Sequence, residues 1–256
     1  DKNDLVGLVS LPLAGELPLL SGKERKKLPL VVINSRSFME ECFHILRNNT
    51  ELLLLPNPEK ASRVVFLTST RTGEGKTFTA LNLAAAYAQT GKKVLLIDGD
   101  LRKASLSAFC GGKNSRGLAH LLMNPLASPD SVLQSGENFP GFDIVPAGPV
   151  PPNPAALLTQ GRFEDLIRYW RTRYDRIIVD GCPYEAVADA SLMARHADLV
   201  LYLIRCGMIE KQYVPSIQEL AARGEFQSVA LILNAENFKN SRFHYYSEYS
   251  GSKTAG

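Results

Sequence analysis

The sequence predicts an α/β protein built on a doubly wound, mostly parallel sheet, and three observations predict it. Short, continuous apolar runs recur along the chain. Helix-period amphipathic stretches separate most of them. A glycine-rich turn joins the first run to the longest helical stretch. Strands that are apolar on both faces need helices on both sides, and a helical crossover returns the chain to the sheet in the same direction.

Residues 1–34 read as an extended arm. They hold Pro12, Pro18 and Pro29 and the basic cluster Lys23-Glu24-Arg25-Lys26-Lys27, with apolar patches such as Leu5-Val6-Gly7-Leu8-Val9 suited to docking as extended strand. Residues 35–50 read as a helix. Ser35 or Ser37 offers a cap, and Phe38, Cys42, Ile45 and Leu46 make one apolar stripe. The first buried strand is 63–68. An alanine-rich helix follows over 78–89 and is stopped by Gly91. Further strands are expected at 93–97, 142–145, 176–179, 199–204 and 229–233. Helical patterns lie near 116–123, 161–172, 186–195 and 211–223. There is no internal repeat, and residues 239–256 lose the apolar pattern and read as a flexible tail. The expected organisation is an arm over 1–34, one domain over 35–238 and a tail over 239–256.

Composition narrows the function. The chain has 256 residues, enough for a substantial core, and a formal charge of +3, too small to indicate nucleic acid as a partner. Cys42, Cys110, Cys182 and Cys206 are scattered without a paired spacing, which suits reduced thiols in a cytosolic protein. No apolar run approaches the roughly 18–20 residues of a membrane helix.

The strongest local signal is Thr70-Arg71-Thr72-Gly73-Glu74-Gly75-Lys76-Thr77, between a strand and a helix. That is the context of a phosphate-binding P-loop. Glycines let several backbone N–H groups face one phosphate, and the helix N-terminus adds positive potential. Thr72, Gly73, Glu74, Gly75, Lys76, Thr77 and Phe78 are the candidate nucleotide contacts. Lys76 supplies a point charge for the β/γ phosphates, and Thr77 a hydroxyl for magnesium. Thr70 stands where the general motif has its first glycine.

Two acidic strand ends follow. Leu95-Leu96-Ile97-Asp98-Gly99-Asp100-Leu101-Arg102 sends two carboxylates from the end of a buried strand, the edge where open α/β sheets bind ligands. Ile177-Ile178-Val179-Asp180-Gly181-Cys182-Pro183 has the Walker B form, a hydrophobic strand ending in an acid that helps hold magnesium. Lys76, Asp98, Asp100 and Asp180 are the candidate catalytic residues, with Thr77, Asp98 and Asp180 as candidate metal ligands. Asp98 is the candidate proton acceptor.

In this order the motifs resemble those of the bacterial protein-tyrosine kinases of capsule and exopolysaccharide export. The segments Val145-Pro146-Ala147-Gly148-Pro149 and Val187-Ala188-Asp189-Ala190 fit as well, and the resemblance covers roughly residues 37–250. It implies a P-loop NTPase fold of the deviant, partition-ATPase type, use of ATP and Mg2+, and autophosphorylation in trans within a homo-oligomeric ring or dimer. It also implies a membrane polysaccharide co-polymerase region, fused or separate, a place at the cytoplasmic face of the inner membrane, and a cognate tyrosine phosphatase. Glu41, His44 and Arg47 match the family's Glu-x-x-Arg-x-x-Arg helix, which contacts the next subunit. Tyr245, Tyr246 and Tyr249 match its C-terminal tyrosine acceptors. The chain departs from the family pattern at His44 and at Gly181-Cys182. Arg71 replaces the signature lysine of the partition ATPases. Rival readings are a partition-type ATPase switch and a non-catalytic, nucleotide-gated assembly module.

Overall fold

The computed structural model describes residues 9–20, 37–54, 62–108, 116–136, 139–208, 213–222 and 226–237. Among them eight strands form one sheet: β1 (Leu13–Pro18), β2 (Arg63–Ser69), β3 (Val94–Asp98), β4 (Gln134–Gly136), β5 (Phe139–Val145), β6 (Arg176–Asp180), β7 (Leu199–Arg205) and β8 (Val229–Glu236). Their order is β1-β8-β7-β2-β6-β3-β5-β4, and every pairing is parallel except β4 with β5. The helices are α1 (Phe38–Leu53), α2 (Lys76–Ala88), α3 (Leu118–Met123), α4 (Pro154–Leu158), α5 (Arg162–Arg171), α6 (Asp189–Ala194) and α7 (Val214–Ala222).

The central strands are buried along their whole length, as their continuous apolar sequence requires. Alternate residues feed two core layers. Phe66, Ile177 and Val179 face the layer completed by Leu118, Phe163, Trp170 and Met193. Val65, Leu67 and Ile178 face the layer completed by Phe43, Leu46, Leu81 and Tyr87, from α1 and α2.

Two differences from the sequence expectation concern the sheet edges. Within the stretch read as an arm, Leu13–Pro18 forms β1, paired parallel with β8 through two register shifts, with Ala14 and Leu17 fully buried under α1. Six residues whose apolar positions, Leu13, Ala14 and Leu17, do not alternate are too weak a local pattern to announce a strand; the open edge of β8 supplies the reason. At the far edge, the short β4 turns back antiparallel on β5.

Helix α1 is capped by Ser37, whose hydroxyl accepts from the Glu40 N–H at 3.2 Å. Its last turn is tied to β6 through Glu51, which receives Arg176 Nε at 2.7 Å and Nη2 at 2.5 Å. The Phe43 ring meets Phe78 edge to face at 5.7 Å between centroids, so α1 buttresses the first turn of α2.

Candidate active site

Strand β2 brings the chain to Ser69 at the C-terminal edge of the sheet, and the turn 70–75 delivers it into α2 at Lys76. Gly75 has φ +104°, and a Cβ there would collide with the Asn234 amide, so both conformation and space demand glycine. Thr70 carries no such demand. Its backbone is not left-handed, and its buried hydroxyl shares a 3.1 Å hydrogen bond with Tyr202.

The loop is braced from beneath. The Glu74 carboxylate accepts the N–H groups of Arg71 at 2.6 Å and Arg205 at 3.4 Å, and the Glu74 carbonyl accepts from Asn234 Nδ2 at 2.6 Å. The side chain of Glu74 therefore holds the loop's shape, leaving its backbone for any ligand contact. Arg71 lies against Tyr213, its Cζ 4.8 Å from the ring centre and Nη2 donating to the hydroxyl at 2.9 Å.

A cavity of about 450 Å³ opens at this edge. Thr72, Gly73, Gly75, Lys76, Thr77, Phe78 and Leu81 line it from the loop and α2, and Asp100, Lys103 and Ser105 from the turn after β3. Lys76 Nζ donates to Ser69 Oγ at 3.0 Å. Burial lowers the proton affinity of this ammonium, and Asp180 and Asp100 oppose that effect.

Asp98 and Asp180 end neighbouring strands in direct register. Both are fully buried. Asp98 accepts the N–H of Asp100 at 3.2 Å and that of Leu106 at 3.0 Å. Burial, and then the Asp180 charge, hold its carboxyl well above the usual carboxylate range. Asp180 is pushed up to about 7 by burial, against the Thr77 hydroxyl and the Lys76 ammonium. Thr77 approaches closely enough to favour the anion, yet neither Asp180 oxygen completes a hydrogen bond with any partner. Asp100 serves its own turn: Oδ1 accepts the N–H groups of Arg102 at 3.2 Å and Lys103 at 3.0 Å.

Among the described residues, no three His, Cys, Asp or Glu side chains converge closely enough to chelate a metal unaided. Magnesium ordinarily takes one or two protein oxygens and completes its shell with water and phosphate. The orphaned Asp180 carboxylate beside Thr77 fits that use.

The segment after β6 is packed tightly. A Cβ on Gly181 would strike the Phe66 ring and the Leu67 carbonyl. The Cys182 carbonyl accepts from Thr68 Oγ1 at 2.8 Å, and burial pushes its thiol up to about 12. Beyond it, the Asp189 carboxylate is almost fully buried and binds Arg102 through Nε at 2.8 Å and Nη2 at 3.2 Å.

The remaining expected residues lie elsewhere. Glu41, His44 and Arg47 are half-buried on α1. His44 Nε2 stands 3.8 Å from Glu40 Oε1, and Arg47 Nη1 donates to the Ala86 carbonyl of α2 at 3.2 Å. Tyr245, Tyr246 and Tyr249 fall outside the described residues. Lys103, Ser105, Asn234 and the Arg102–Asp189 pair are the parts that sequence reasoning missed. A polar residue in a surface turn, or at the end of an apolar strand, gives no local signal; the one available to Lys103 was its place three residues after Asp100.

Comparison with known proteins follows the same lines. Residues 65–234 match the family described as the CobQ/CobB/MinD/ParA nucleotide binding domain. The chain is 33% identical to the tyrosine-protein kinase YwqD of Bacillus subtilis, over 88% of this chain and 93% of that one. It is 32% identical to the tyrosine-protein kinase wzc of Salmonella typhimurium over 88% of its own length, which is only 31% of that protein. The solved kinase domain of the Escherichia coli tyrosine kinase ETK superposes with a TM-score of 0.79 at 27% identity, covering 91% of this chain and 93% of that one. With its P-loop, its two acidic strand ends and these relatives, the chain belongs to the bacterial tyrosine kinases of the CobQ/CobB/MinD/ParA nucleotide-binding family.

Proposed function

We infer that the protein transfers the terminal phosphoryl group of ATP to tyrosine, and that it does so on its own C-terminal tail in trans, in the regulation of polysaccharide export. The carrying observation is that the Lys76 ammonium feels the charges of Asp180 and Asp100 at the sheet edge, with Asp98 in register beside Asp180. A P-loop lysine without facing acids only binds; the acids supply a proton acceptor and a metal ligand. In this reading the backbone of 72–78 cradles the phosphates, and Lys76 balances the charge of the β and γ groups. Thr77 and Asp180 would hold a magnesium ion, which would supply positive charge to the phosphoryl group. The tyrosine oxygen bonds to the γ-phosphorus as the bond to the β–γ bridging oxygen breaks. ADP leaves, and the hydroxyl proton passes to Asp98 at the end of β3. Asp100 acts through the turn it caps.

The acceptors in this reading are Tyr245, Tyr246 and Tyr249, and subunits meet through the α1 face bearing Glu41, His44 and Arg47. Support for the latter is positional: α1 packs on Phe78 at the cavity wall, so a neighbour seated on α1 would lie one packed layer from the site. Among the described residues no helix is long and apolar enough to cross a membrane. The wzc relative has further sequence beyond the part this chain matches; in this reading a membrane co-polymerase region, fused or separate, holds the domain at the cytoplasmic face of the inner membrane.

Incubation with Mg2+ and ATP, followed by a phosphotyrosine probe and a phosphate-release assay, tests the activity. Phosphotyrosine supports the kinase. Phosphate release without it indicates an ATPase switch, and neither product indicates an assembly module.

A further inference from the structure

We propose that Lys103 is a second phosphate-binding cation of this site, contacting the terminal phosphate of the bound nucleotide and so separating triphosphate from diphosphate. The proposal rests on the nucleotide reading given above. The Asp100 carbonyl accepts the N–H groups of Lys103 at 3.2 Å and Ala104 at 2.8 Å, while its carboxylate takes the N–H groups of Arg102 and Lys103. Ala104 closes the turn at φ +49°, a left-handed conformation unfavourable for any residue with a Cβ. A turn so constrained fixes where its side chains leave it.

The two adjacent cations leave in different company. Arg102 is bound bidentately by the buried Asp189. Lys103 lines the cavity and reaches the P-loop, its Nζ 3.3 Å from Thr72 Oγ1. Among the described residues no carboxylate stands within ion-pair distance of it; its polar partner is a neutral hydroxyl. An ammonium aimed at a neutral group on the rim of an anion-binding loop retains its charge for the anion.

Position within the cavity selects which phosphate. The amides at the start of α2, from Gly75 to Thr77, suit the inner phosphates. Thr72 and Gly73 lie at the other end of the loop, and the turn bearing Lys103 begins two residues after Asp98, one of the two acids proposed to act on the terminal group. A cation over Thr72 therefore meets the phosphate that ATP has and ADP lacks.

The test measures binding of ADP and of a non-hydrolysable ATP analogue, each with Mg2+, by calorimetry on the full chain and on Lys103→Ala and Lys103→Arg. Loss of one charge-assisted contact should weaken the triphosphate roughly ten- to a hundredfold. ADP affinity should stay within about twofold, and Lys103→Arg should recover most of the loss. Equal weakening of both nucleotides, or a fall in thermal stability that tracks the affinity, would assign Lys103 to holding the loop and overturn the proposal. Unchanged triphosphate affinity overturns it too. Wild-type protein that binds neither nucleotide would instead sink the nucleotide reading itself.

Discussion

Asp98 and Asp180 face each other across the β3–β6 pair, but Asp98 receives two backbone N–H groups and Asp180 receives none. A buried carboxylate without donors is a liability to the fold and an asset to a cation. Asp180→Asn should therefore stabilise the metal-free protein at pH 8 while abolishing most phosphotransfer. Burial pushes the Asp180 carboxyl up to about 7 in the folded chain, above its ordinary value of 3.8. Between those values the folded chain binds a proton that the unfolded chain lacks, so stability falls as pH rises through that window and levels off above it. In a chelating buffer the wild-type melting temperature should fall by several degrees relative to the variant between pH 5 and pH 8. Parallel curves would show that Asp180 is not strained in this way.

Lys76 is buried, and among the described residues its hydrogen-bond partner is the Ser69 hydroxyl. Lys76→Met removes a desolvated charge from the loop and should leave the melting temperature equal or higher. Phosphotransfer should fall by at least about a hundredfold, because charge at the β/γ phosphates cannot be replaced by a thioether. Circular dichroism melting and a phosphotyrosine assay on the same preparation check both halves. A folded variant at wild-type rate would remove Lys76 from the chemistry.

Most of this fold was legible because buried parallel strands are apolar throughout, a pattern that survives without tertiary context. The acidic strand ends were legible for a related reason: Asp98 and Asp180 interrupt runs that would otherwise continue. What was illegible depends on partners far away in the chain. Strand β1 exists because β8 offers an edge, and the tolerance of threonine at position 70 depends on Tyr202, more than a hundred residues downstream. The fate of Arg71 likewise rests on Tyr213. Long-range satisfaction of polar groups leaves no local period to read.

The Glu51–Arg176 pair holds the end of α1 against β6, and through α1 it supports Phe78 at the cavity. Burial raises the Glu51 carboxyl, but the two bonds to Arg176 and its charge outweigh that effect and hold it below its ordinary value. With a third of the Glu51 side chain exposed, Glu51→Gln should cost about 1–2 kcal/mol near pH 7. A depressed carboxylate contributes stability above its unfolded pKa and loses it as pH falls through the folded value. The difference in denaturation midpoint between wild type and variant should shrink below about pH 4. A constant difference would mean that shape, not charge, carries the contact.

The direction of transfer can be settled by mixing two incomplete chains. Lys76→Met protein keeps the tail but lacks the charge that chemistry needs, and protein ending at residue 239 keeps the site but lacks Tyr245, Tyr246 and Tyr249. A tail brought to a neighbour's cavity by association through α1 acts at high effective concentration, so transfer between subunits should be efficient once they meet. Label from ATP should then appear on the Lys76→Met chain, rise with total protein concentration and vanish when the three tyrosines are replaced by phenylalanine. Each phosphate adds about −1.5 to −2 charges, so the labelled tail should repel acidic surfaces and its own kind. Light scattering on the same samples should show the assembly loosening as label accumulates. An unlabelled Lys76→Met chain, beside wild-type chains that label themselves at a rate independent of concentration, would place the whole reaction within one subunit.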